Sequence, residues 1–135
     1  MPEQEENYFE DLITLDYVRL KAAEMSPTDL LKVTLRREEI GKILGDPAFD
    51  AVREKTLGML QIIDGIAKGD AVKISYPSLS VAVFGLNYLL KEVDIIPDQI
   101  PGEGYKDDAL VLDRCAEQMG RELKHWKVAE DNTDS

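Results

Sequence analysis

Four aspartates gather late in the chain, Asp94 and Asp98 in VDIIPDQIPGEG and Asp107 and Asp108 in YKDDALVLD, with Glu92, Glu103 and Asp113 close by. Carboxylates on both arms of a rigid turn could converge on a hard cation such as Mg2+ or Ca2+, which takes several oxygen ligands. An ion held there would either brace the turn or activate water for hydrolysis of a phosphate ester or an amide. The spacing does not fit an EF-hand loop, which needs acidic or amide ligands at alternate positions and a glutamate at the twelfth. The same aspartates have a purely structural use. Asp107 or Asp108 would cap the helix that follows and complement its dipole, while Asp94 and Asp98 would accept hydrogen bonds from the turn amides after them. Capping is the leading expectation and requires no cofactor; a Mg or Ca site at Asp94, Asp98, Asp107 and Asp108 is the alternative.

Other chemistry is sparse. Cys115 is the only cysteine, so neither an intrachain disulfide nor a multi-thiolate zinc site can form. It falls at helical spacing with Leu112 and Met119, where a small apolar core residue is expected rather than a nucleophile. His125 is the only histidine and lies nearly three helical turns beyond it, too far for a Cys/His pair on one helix.

The backbone that must position the aspartates is itself strongly specified. Pro97 and Pro101 force Ile96 and Ile100 out of the helical region, and Gly102 and Gly104 supply positions for reversing direction. Ile95, Ile96 and Ile100 are too apolar for a solvated loop. The sequence therefore predicts a packed Pro/Gly/Asp-rich corner before the last helix.

This corner also carries a resemblance. Residues 88–112, YLLKEVDIIPDQIPGEGYKDDALVL, resemble the signature of the YkvA-like family, a bacterial domain of unknown function with the pattern Y-L-x-x-P-x-D-x-I-P-D-x-I-P-x-x-G-x-x-D-D. Tyr88, Leu89, Asp94, Ile96, Pro97, Asp98, Ile100, Pro101, Gly104, Asp107 and Asp108 match it, whereas Glu92 stands where the family has a proline. The resemblance implies no activity. Some family members carry membrane-spanning segments, which this chain is expected to lack.

Around the corner, helical periodicity dominates. Tyr8, Leu12, Leu15, Val18 and Ala22 recur at three and four, widened by Phe9, Ile13 and Leu20, and predict a first helix over about 6–25. Ser26 and Pro27 restart the chain for a helix to about 44, closed at Gly45. Asp46 and Pro47 open another to about Lys68, with Gly69 as its C-terminal cap. Pro77, flanked by Ser75 or Tyr76, opens a helix that is apolar nearly all round, as a central helix should be. A last helix is expected over about 107–128, and AVKIS could form a brief extended run. Together these predict one all-α domain over 1–135, a compact bundle of four to five helices, with solvated tails at about 1–6 and 129–135.

Charge narrows the partners. With 27 acidic and 16 basic residues the formal net charge is -11, a field that repels phosphate backbones and anionic lipid. The basic residues Lys32, Arg36 and Arg37, and Arg114, Arg121, Lys124, His125 and Lys127, are interleaved with acids, so no nucleic-acid partner is expected. The uncharged run between Lys73 and Lys91 is at the lower edge of the roughly 17 to 25 residues a spanning helix needs, and it contains Pro77 and Asn87. Membrane contact is not expected either. No secretory leader pattern opens the chain, so the expectation is a cytoplasmic, non-enzymatic helical module that binds a protein partner or self-associates. A structural role fits the same non-enzymatic reading, and a divalent-cation-binding protein or a metal-dependent hydrolase centred on the Asp94, Asp98, Asp107 and Asp108 corner is the alternative.

Overall fold

A computed structural model of the chain describes residues 12–70, 73–90 and 105–124. Among these, every regular element is helical: α1 (Leu15–Ala22), α2 (Pro27–Leu35), α3 (Arg37–Ile43), a 3-10 turn (Pro47–Phe49), α4 (Arg53–Ala67), α5 (Tyr76–Leu89) and α6 (Lys106–Met119). The all-α expectation holds, with more and shorter elements than the four to five predicted. The expected tails and the corner at 91–104 lie outside the described residues.

The extra breaks have local causes. Thr14, in extended conformation, accepts a hydrogen bond from the Tyr17 amide and starts α1 anew, so the helix predicted over 6–25 does not run unbroken. As a result Ile13, Val18 and Ala22 are buried, while Leu12, Leu15 and Leu20 face outward. The helix predicted over 27–44 divides at Arg36, whose amide is shared between the carbonyls of Lys32 and Val33. Thr34 contributes, because its hydroxyl bonds back to the Leu30 carbonyl at 3.2 Å, a contact that bends helices. Asp46 caps as expected, but what it caps is the 3-10 turn, through the Ala48 amide at 2.9 Å; α4 begins only at Arg53. The last helix stops at Gly120, where φ is +50°, and the chain is helical again over 121–124.

Other signals are realised as read. Asp29 accepts from the Ser26 amide and hydroxyl at 2.8 and 3.0 Å, closing the start of α2. Gly69, at φ +84°, ends α4 with paired bonds from Gly69 N to the Ile66 carbonyl and from Asp70 N to the Gly65 carbonyl.

Helix α5 is the hub and packs against each of the other five α-helices. That is why Val81 to Leu90 are buried without interruption: a helix covered on all sides needs no polar face. Its partner α6 runs antiparallel to it. Tyr88 meets Asp107 near one end, Gly85 lies against Leu112 and Cys115 midway, and Ser75 meets Glu122 at the other end. No helix among the described residues is long and apolar enough to cross a membrane.

Candidate functional site

Asp107 and Asp108 occupy the first turn of α6, where their charge complements the positive end of the helix dipole. Neither is the N-cap. Tyr105 holds that position and makes no side-chain capping bond; its ring packs instead on Phe49 of the 3-10 turn, with centroids 5.2 Å apart. Of the capping expectation for Asp107 and Asp108, the dipole complement is met but the N-cap position is not theirs, and both residues are 0% exposed.

The Tyr88 hydroxyl, projecting from the last turn of α5, donates to Asp107 Oδ2 at 2.6 Å. The second oxygen, Oδ1, is buried and makes no hydrogen bond. An edge-to-face series, Tyr17 to Phe84 at 6.1 Å and Phe84 to Tyr88 at 6.0 Å, carries the aromatic packing across from α1. The Tyr17 phenol is held above its usual pKa, first by burial and then by the negative charge of Asp107. Asp107 thus pairs with Tyr88 of α5, and its charge is felt at Tyr17 of α1. Asn87, next to Tyr88, faces α2 and donates to the carbonyls of Asp29 and Val83, both at 3.0 Å, while its own Oδ1 is buried without a partner.

Of the predicted site residues, Asp107 and Asp108 are brought together, whereas Asp94, Asp98, Pro97, Pro101, Gly102 and Gly104 lie outside the described residues. No group of three or more His, Cys, Asp or Glu among the described residues is placed to hold a metal. Sequence reasoning missed the pairing role of Tyr88. The available signal was its position as a hydroxyl-bearing aromatic in the last turn of a largely apolar helix. Cys115 is buried, and burial pushes its thiol pKa well up, which keeps it protonated and inert as the core reading requires.

A second feature lies at the opposite end of α5. Tyr76 is 71% exposed and stands between two apolar hollows that share it and Ser80. One, of about 370 Å³, is lined by Ala22, Ala23, Pro77 and Val81, with Arg19 and Gln118 on its rim. The other, of about 150 Å³, is lined by Met25, Pro27, Leu30, Leu79 and Val83. Leu20, Leu31 and Leu35, at 69%, 52% and 75%, leave further apolar surface on α1 and α2.

A family model described as a protein of unknown function, DUF1232, matches residues 78–112. That span takes in α5 from its first turn and α6 as far as Leu112, and so includes Tyr88, Asp107 and Asp108. No curated protein and no solved structure matches the chain.

Proposed function

We propose that the chain is a non-enzymatic, YkvA-like helical module of the bacterial cytoplasm, and that it binds a partner protein through the apolar hollows on either side of Tyr76. The observation that carries this reading is a large aromatic, mostly exposed, between two concave apolar surfaces, the arrangement in which tyrosine anchors a partner. The burial of Asp107 and Asp108 supports the non-enzymatic part, because carboxylates sealed in a core cannot meet a substrate. The fitting occupant is an amphipathic helix with leucines on one face and lysines or arginines at its edges. A net charge of -11 favours a basic partner and sets two copies of this chain against each other.

A photo-reactive amino acid in place of Tyr76 tests the reading in producing cells, with Glu38, which lines neither hollow, as the control position. The expected result is a covalent adduct at position 76 alone, through a basic amphipathic segment of another protein, together with a monomer mass for the purified chain by light scattering. A dimer cross-linked through position 76 would assign the face to a second copy. Equal labelling at 76 and 38 would remove the docking role.

A further inference from the structure

We infer that the hollow between the start of α4 and the end of α6 binds a small organic anion with an aliphatic body, a medium-chain carboxylate, held by Lys55, Arg121 and Lys124. The site goes beyond the docking face and is independent of it, since it shares no lining residue with either hollow beside Tyr76.

The hollow has a volume of about 530 Å³, within the range of about 300 to 1,000 Å³ that small-molecule sites occupy. Its floor is apolar, formed by Ala116 and Leu123, both buried. Leu123 closes against α4 at Gly58, where a Cβ would come within 3.3 Å of Leu123 Cδ1. Gly120, at φ +50°, ends α6 and places Arg121 and Lys124 on the next helical turn. Lys55 comes from the first turn of α4, where a cation opposes the helix dipole and an anion is favoured.

Charge sets this hollow apart from the rest of the molecule. The chain carries a net charge of -11, yet the lining holds three exposed cations and one acid, Glu54, which has a partner. Among the described residues no carboxylate forms an ion pair with Lys55, Arg121 or Lys124. The acids closest to them along α6 and the turn after it are taken up elsewhere: Glu117 meets Arg114 at 3.7 Å, and Glu122 accepts from Ser75. Three unmatched cations around one apolar floor, in a chain with 27 acidic and 16 basic residues, reverse the local sign and leave it for an anion to neutralise.

The lining also selects the ligand. Among the described residues no aromatic side chain lines the hollow, so a nucleobase finds no stacking partner. Ala116, Leu123 and the methylene stems of the lysines suit an alkyl chain. The planar guanidinium of Arg121 suits a carboxylate, which it can take through two parallel hydrogen bonds, with Lys55 and Lys124 as flanking point charges. Glu54 opposes a doubly charged phosphate head more than a singly charged carboxylate.

Titration calorimetry of the full chain with decanoate, kept below the concentration at which it forms micelles, tests the site. The expected result is saturable binding of one decanoate per chain, weakened by added salt. Arg121→Gln and Lys55→Gln change exposed positions on two different elements; each should weaken binding about two- to five-fold, the scale of a solvent-exposed charge pair, and together about tenfold. Lys42→Gln, exposed on α3 and outside the lining, should leave it unchanged. Decanol, with the same chain and no charge, should bind several-fold more weakly, and decyl phosphate no more tightly than decanoate. The absence of saturable binding overturns the proposal, as does decanol binding equal to that of decanoate, or a loss with Lys42→Gln as large as with Arg121→Gln. Tighter binding of decyl phosphate overturns the carboxylate assignment. Binding that Arg19→Gln removes and Arg121→Gln leaves intact places the anion beside Tyr76 and overturns the site itself.

Discussion

Asp107 loses all its hydration when α6 docks, and among the described residues the Tyr88 hydroxyl is the single group that gives a hydrogen bond back. A bond from a neutral donor to a buried carboxylate is worth more than an average one, because without it the charge has nothing. Tyr88→Phe keeps the ring and its edge contact with Phe84, so packing changes little and the polar loss is isolated. The expected cost is about 2 to 3 kcal/mol, read as a lower urea midpoint with an unchanged denaturant slope. A loss under about 0.5 kcal/mol, the scale of an ordinary surface change, would mean that Asp107 is satisfied by other means. The residue scale is also where the sequence was least legible. Aspartates beside glycines and prolines read as caps and solvated turns, because that is where they usually occur. Nothing in the order KDD says that two carboxylates enter a core; only the docking of α6 against α1 and against Tyr88 of α5 does.

The elements themselves were far more legible, wherever one residue type dictates one backbone state. Ser26 with Pro27, Asp46 with Pro47 and Ser75 with Pro77 each mark a start that the chain adopts, and Gly69 marks a stop. The breaks at Thr14 and Arg36 were not legible, because the apolar repeat continues across both and the interruptions come from side-chain bonds to nearby backbone. Gly85 was also silent: in an apolar run it looks like a mild weakness, yet it lies directly against side chains of α6. A Cβ there would lie 2.9 Å from Cys115 Sγ and 3.3 Å from Leu112 Cδ2. Gly85→Ala should therefore destabilise by about 1 to 3 kcal/mol through overpacking, despite the better helix propensity of alanine. Removing the obstructing sulfur distinguishes this from a general intolerance of α5. In a double-mutant cycle, Cys115→Ala should recover part of the loss, whereas additive costs would show that the two sites do not meet.

At the scale of the whole molecule, the α5–α6 pair is tied at both ends by acidic side chains, one buried and one open to water. At the open end Glu122 accepts the Ser75 amide and hydroxyl, both at 2.7 Å, and so closes the first turn of the hub helix from a point 47 residues further along the chain. The backbone bond from Ser75, then its hydroxyl, hold the Glu122 carboxyl below its ordinary value. A depressed folded-state pKa means that Glu122 contributes its stability above the unfolded-state value near 4.5, and that this contribution disappears as pH falls through the lower folded-state value. Acid also has an opposite effect on a chain of net charge -11, since protonation elsewhere relieves its self-repulsion. Total stability against pH therefore mixes two trends, and only a difference separates them. Glu122→Gln removes one carboxylate and leaves the rest of the charge in place. The gap between wild type and Glu122→Gln in urea melts should be constant from neutral pH down to about 5 and then close on further acidification. A gap that stayed flat into strong acid would mean that the ionised carboxylate is not what ties Ser75. One that widened would reverse the sign of the linkage and assign the acid response to the repulsion alone.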